Sequence, residues 1–177
     1  MIGHWWLVTW VTYGSWLPGD PRGFKTWRKR EYVPPVYGTA QPDELTYNPD
    51  DYKDRLQHAR QLCPTEIRLS GPARRICCDA IRADIAEISI APAILAVATQ
   101  HVHLIAKFGD CRIRPTVGRM KFAATQQLHL TKIIAGRIWA KGCHMESLPN
   151  QDAFEQAFHY VADHESEGAH LLRWKVD

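Results

Sequence analysis

No stretch of these 177 residues stays apolar for the roughly 18 positions that a helical membrane span requires. The opening "MIGHWWLVTW" is apolar, but it has no basic segment before it and is soon broken by Tyr13, Gly14, Pro18 and Asp20, so neither a signal peptide nor a span is expected. Cysteine is sparse and irregular. Cys63, Cys77, Cys78, Cys111 and Cys143 form an odd set with no CxxC spacing, and the adjacent pair cannot easily bridge; reduced thiols in a cytoplasm are the expectation. Neither charge dominates. Lys and Arg number 22 against 19 Asp and Glu, a net +3, which permits a polyanionic partner without arguing for one. Internal repeats and low-complexity segments are missing as well.

What is present is enough apolar residue, 45%, to build a real core, and a length that fits one domain spanning 1–177. "HWWLVTWVTYG", rich in β-branched and aromatic residues and closed by Gly14, predicts a strand over 5–13. A long basic, proline-rich loop is expected at about 15–66, since prolines, glycines and charges forbid long regular elements over most of it. "SGPARRICCDAIRADIAEIS" then offers Ser70 as cap, Pro72 in the first turn, and Cys77, Ile81, Ile85 and Ile88 along one face of a helix. "AILAVATQ" and "HVHLIAKF" read as two strands with a tight reversal near Thr99 and Gln100. Val117, Met120, Ala124 and Leu128 mark a second helix, "GRIWAKGC" a short strand, and "AHLLRWKV" an edge strand. Between the last two, Asn150 caps a third helix with Phe154, Ala157, Phe158 and Val161 along one stripe and a stop at Gly168. The order β, α, β, β, α, β plus a further helix is the α+β, ferredoxin-like pattern: an antiparallel sheet with helices on one face, and a C-terminal helix carrying Tyr160.

Two histidines one residue apart, His101 and His103, interrupt the most apolar strand. With nine histidines in the chain an HxH is a common coincidence, and a pair on the polar face of a half-buried strand is the plain reading. In a strand, however, residues i and i+2 point to the same side, so both rings aim at one place while Val102 and Leu104 face the other way. Neutral imidazoles so arranged can share a divalent ion, although a catalytic centre generally needs a third protein donor. The third helix supplies one: Tyr160 and His164 lie four apart on one face, flanking the apolar stripe. No other tyrosine has a histidine at that spacing.

With HVH on a strand, a basic helix after it and "FHYVADHESEG" near the C-terminus, the chain resembles the single-tyrosine HUH transposases of the insertion-sequence type, closest to the REP-associated tyrosine transposase branch. Val102 matches the bulky middle residue, Tyr160 the family tyrosine and Gly168 the following glycine, and "LVTWVTYGSWLPGDPRGF" resembles the start of many members. The family usually carries Asn or Gln four residues after the tyrosine, often before Pro; here stand His164 and Glu165. The resemblance implies a DNA nicking and joining enzyme in which His101, His103 and His164 hold a Mg²⁺ or Mn²⁺ ion and Tyr160 forms a 5′-phosphotyrosine on hairpin-flanked single-stranded DNA, as a monomer or homodimer.

DNA contact is expected from two sets. Arg22, Lys25, Arg28, Lys29 and Arg30 are interleaved with aromatic residues, including Trp27, in the manner that suits phosphates and unpaired bases. Arg112, Arg114, Arg119 and Lys121 form the second. Two other readings remain open: a domesticated DNA-binding protein without catalysis, and a metal-dependent phosphoesterase with no covalent intermediate.

Overall fold

The computed structural model describes residues 3–21, 24–25, 32–33 and 49–176, which fall into two units. One comprises Met1–Thr12 with Arg68–Asp177, the other Tyr13–Ile67. The first strand, β1 (Trp5–Val11), belongs to the former. In the second unit β2 (Phe24–Lys25) and β3 (Tyr32–Val33) pair antiparallel, and α1 spans Pro49–Leu62. A helix therefore stands inside the segment expected to be loop. Its sequence, PDDYKDRLQHARQL, has too few apolar residues to draw a stripe. Gly14, at φ +79°, closes the turn after β1 because a Cβ there would collide with the carbonyl oxygen of Thr65, and the amide of Ile67 donates to the carbonyl of Tyr13 at 2.9 Å.

In the larger unit α2 (Gly71–Ala86) begins where expected: Ser70 adopts extended backbone and its side chain accepts from the amide of Ala73. β4 (Ala91–Val97) and β5 (His101–Lys107) form the predicted hairpin, closed by Ala98 N–H donating to the carbonyl of His101. Then follow α3 (Ile113–Leu130), β6 (His144–Leu148), α4 (Gln151–Asp163, capped by the Asn150 side chain) and β7 (His170–Arg173). The sheet runs β6-β1-β5-β4-β7 with every neighbour antiparallel. Its first four strands have the ferredoxin-like order, and β7 adds the predicted edge.

Residues Ala93 to Val97 and Val102 to Ala106 are buried without interruption, so both faces of the central hairpin are covered. Strand alternation decides which residue meets which helix. Leu7, Ile94, Ala96 and Ile105 share one core with Phe154 and Val161 of α4. Val8, Trp10, Leu95, Val102 and Leu104 turn to the other face, where α2 lies against β4 and β7 and packs along α3. The buried stripes there are Cys77, Ile81 and Ile85 from α2 and Val117, Met120, Ala124 and Leu128 from α3, as the spacing predicted, except that α2 ends at Ala86 and leaves Ile88 outside it, half-buried. No helix of the described residues is long and apolar enough to cross a membrane.

Two details differ from expectation. "GRIWAKGC" is not a strand: it makes a single bridge, Thr12 to Trp139, and the strand follows it as β6. Gly136 and Gly142 turn the chain at positive φ, and the Lys121 ammonium takes the carbonyls of Ala140 and Gly142, so α3 satisfies groups that a strand partner would otherwise bind. The third helix also stops short of Gly168, ending at Asp163 with His164 as its C-cap. The chain then turns through Gly168 at φ +84°, the amide of Ala169 donating back to the carbonyl of His164 at 2.9 Å.

Cys77 and Cys78 are wholly buried in α2, and burial pushes each thiol up to about 12, helped by Cys78 beside Cys77 and by Asp79 beside Cys78. A thiolate-directed reagent at pH 8 should therefore label three cysteines, the partly exposed Cys63, Cys111 and Cys143, in native protein, and all five only in denaturant. Quantitative thiol titration checks this.

Candidate metal centre and its tyrosine

Antiparallel register sets the first half of the site. β5 faces β1 with His101 opposite Val11 and His103 opposite Thr9, so Thr9 and both histidines point to the face that α4 covers. The Thr9 hydroxyl lies 2.8 Å from Nδ1 of His103. The second half comes from α4, whose apolar stripe seats the helix on that face and brings Tyr160 and His164 over the pair.

Three ring centroids form a near-equilateral triangle: His101 to His103 4.8 Å, His101 to His164 5.0 Å, and His103 to His164 4.8 Å. One ligand nitrogen from each lies within 4.8 Å of the others. Tyr160 completes the group, its ring 5.3 Å from that of His103 and 4.9 Å from that of His164, both edge-on. His103 and His164 are buried, whereas Tyr160 is 51% exposed, so the phenol meets solvent above a shielded imidazole floor.

The hydrogen bonds define which nitrogens face the cluster. His164 Nδ1 lies 2.8 Å from the carbonyl oxygen of Tyr160. A carbonyl only accepts, so Nδ1 carries the proton and Nε2 keeps its lone pair. His103 likewise engages Nδ1 with Thr9 and leaves Nε2. Imidazoles that ligate metals characteristically anchor their other nitrogen on such a partner, which fixes tautomer and ring orientation. The donor set thus fits a divalent ion, and three neutral nitrogens suit Mn²⁺ or a softer ion better than Mg²⁺, which prefers oxygen.

Electrostatics favour the neutral forms of His103 and Tyr160. Burial, then the neighbouring His101 and His164, lower the pKa of His103 from 6.5 to about 3. Burial, then the Glu167 carboxylate, raise that of Tyr160 above the usual phenol value. Glu165 is held below the ordinary carboxylate range by a hydrogen bond from Arg173, 2.7 Å long, which ties the turn after His164 to β7.

The sequence-predicted residues separate cleanly. His101, His103, Tyr160 and His164 are brought together by two elements of one chain. Of the basic candidates, Arg22, Trp27, Arg28, Lys29 and Arg30 lie outside the described residues; Lys25 falls in β2. Arg112 is the exposed N-cap of α3, with no side-chain cap hydrogen bond, and Arg114, in the first turn, is exposed as well. Arg119 is ion-paired with Asp84 of α2 at 2.7 Å, and Lys121 is committed to the carbonyls of Ala140 and Gly142. Thr9 was missed by sequence reasoning. Its only signal was a polar residue amid the apolar "WWLVTWV", and nothing there names the histidine across from it.

No protein-family model matches the chain, and no curated protein matches it. A solved structure does: a REP-associated tyrosine transposase bound to a REP hairpin aligns over 95% of this chain and 70% of its own length, with a TM-score of 0.50 and 12% sequence identity. At that identity the likeness is one of fold.

The depressed His103 pKa has a definite sign. Its value in the folded protein, about 3, lies below that of the unfolded chain, so the unfolded state binds the extra proton; stability is full above pH 6.5 and falls as pH drops from 6.5 towards 3. In chelator-treated protein, the loss between pH 6.5 and 5 should be about 1.5 kcal/mol smaller in His103→Gln than in the parent, by urea unfolding.

Proposed function

We propose that this chain cuts and rejoins single-stranded DNA, with Tyr160 as nucleophile and His101, His103 and His164 holding a divalent cation. The observation that carries this reading is the half-exposed phenol packed edge-on against two members of a convergent histidine triad. The protein whose fold it shares is a tyrosine transposase bound to a DNA hairpin, which favours the same substrate class here.

The residues divide the work. The triad, with His103 and His164 buried, supplies the nitrogen donors, and the bound cation would draw charge from a non-bridging phosphate oxygen. Tyr160, half-exposed, stands beside His103 and His164, where a phosphodiester can approach. Its oxygen attacks phosphorus in line; the new phenolic P–O bond forms as the bond to the 3′ oxygen breaks. The products are a 5′-phosphotyrosine and a free 3′-hydroxyl, the phenol's proton balancing the departing alkoxide. Because the phosphodiester is conserved in the covalent link, attack by a 3′-hydroxyl reverses the step without a nucleotide cofactor. The β1–β6 pairing and the seating of α4 let one chain supply both nucleophile and ligands. Arg112 and Arg114 at the start of α3 are offered to the DNA, with Arg22, Lys25, Trp27, Arg28, Lys29 and Arg30 a second set.

Protein mixed with Mn²⁺ and a labelled hairpin oligonucleotide bearing single-stranded flanks should give an adduct stable on a denaturing gel. Tyr160→Phe should reduce it to background, and an undiminished adduct or continued hydrolytic turnover in that variant would overturn the assignment.

Metal binding is tested separately. Mn²⁺ at a hundred times its Kd should stabilise the parent by about 2.7 kcal/mol. In His101→Ala that gain should vanish while hairpin binding persists; the two melting curves and a binding titration measure it.

A further inference from the structure

β6 brings a fourth imidazole to the face of the sheet that carries the triad. His144 is the register partner of Thr9, and Thr9 is the register partner of His103, so the three side chains point to one side. Leu148, four residues along the same strand and therefore on the same side, identifies that side: it is buried in the core that Leu7 and Ile105 share with Phe154 of α4. α4 covers this end of β6 and leaves the other open. Phe154, in its first turn, packs on Trp5 with ring centroids 4.8 Å apart, and Trp5 pairs with Leu148. The last turn lies over β5, where Tyr160 and His164 meet His103. Glu146 and His144, on the same side as Leu148, are exposed.

Two strand spacings, about 10 Å, separate the backbones of His103 and His144, with Thr9 between them. Tyr160 stands on the near side of that gap, its ring 5.3 Å from that of His103. A phosphodiester held at the triad would extend into the gap, since α4 closes the other approach. In-line displacement places the attacking and leaving oxygens on opposite sides of phosphorus. With Tyr160 attacking from the α4 side, the leaving 3′ oxygen faces away from the helix, towards β6. An alkoxide departs readily only as it gains a proton, and imidazole is the side chain best suited to give and retake one near neutral pH.

We infer that His144 is the acid of the cutting step: its imidazolium donates a proton to the 3′ oxygen as the P–O bond to that oxygen breaks, and the strand leaves as a 3′-hydroxyl. The phenol's proton passes to water, and a proton from water restores the imidazolium, so the step balances. In rejoining, the neutral imidazole takes the proton from the attacking 3′-hydroxyl. The inference rests on the reading of Tyr160 as nucleophile and extends it by naming the group on the leaving side.

His144→Gln keeps a polar side chain at this exposed position but cannot transfer a proton. Adduct formation would be timed in single turnovers with Mn²⁺ on two hairpin oligonucleotides with single-stranded flanks. One is natural; the other carries sulfur in place of the 3′ bridging oxygen at the bond the parent cuts. A thiolate is stable near neutral pH and leaves without a proton. His144→Gln should form adduct about a hundredfold more slowly than the parent on the natural strand and at the parent's rate on the sulfur strand. Its melting temperature, and its gain in stability with Mn²⁺, should match the parent's because the triad is intact. An equal loss on both strands makes His144 a DNA-positioning residue and overturns the acid role. A lost Mn²⁺ gain makes it a metal ligand and overturns it too. The two readings fail differently: an adduct whose rate is indifferent to His144 sinks the acid alone, whereas a parent that forms no Tyr160-dependent adduct sinks the reaction and the acid with it.

Discussion

Everything chemical in this molecule depends on an apolar contact. Phe154 and Val161 of α4 are buried with Leu7, Ile94 and Ile105 on one face of the sheet, and the same strand alternation that turns Ile105 to that face turns His103 and His101 there too. Burying the stripe fixes the helix, and the helix carries Tyr160 and His164 on a face rotated away from the stripe. Removing two side chains the size of Phe and Val from water is worth several kcal/mol on the usual area scale. That is more than the single hydrogen bonds of the site contribute, so packing sets the geometry and the polar contacts refine it.

The refinement is nonetheless specific. Thr9 and the Tyr160 carbonyl each take one nitrogen of a histidine and so orient the other. Burial of His103 makes its neutral form the resting state, which is the form that can donate a lone pair. Glu165 accepts a hydrogen bond from Arg173 of β7 across the turn that follows His164.

Local patterns were legible in the sequence wherever the chain specifies them locally. Ser70 and Asn150 act as caps, the two helical stripes are buried at the predicted positions save Ile88, which lies past the end of α2, and the reversal at Gln100 joins two strands. His101, His103, Tyr160 and His164 could be named because strand and helix periodicities put each pair on one side of its element. What stayed hidden depends on partners distant in the chain. Thr9 is 94 residues from His103, and only the register connects them. Arg119 and Lys121 looked like free cations, yet Asp84 lies 35 residues away from the first and the carbonyl of Ala140 19 from the second. The segment 136–143 has strand-like composition, but beyond one bridge at the end of β1 its Ala140 and Gly142 carbonyls bond to Lys121 of a helix. α1 escaped because a polar helix carries no stripe to read.

His164 is both the last residue of α4's turn and a member of the triad. The unpaired carbonyls at a helix C-terminus gather about half a negative charge from the aligned peptide dipoles. A cation held by His164 would sit off that end, favoured by about 0.3–1 kcal/mol before any ligand bond is counted. A phosphate arriving without the cation would meet the same field as repulsion. The helix end thus favours a cation beside His164 and opposes an uncompensated phosphate there, each by about 1 kcal/mol or less.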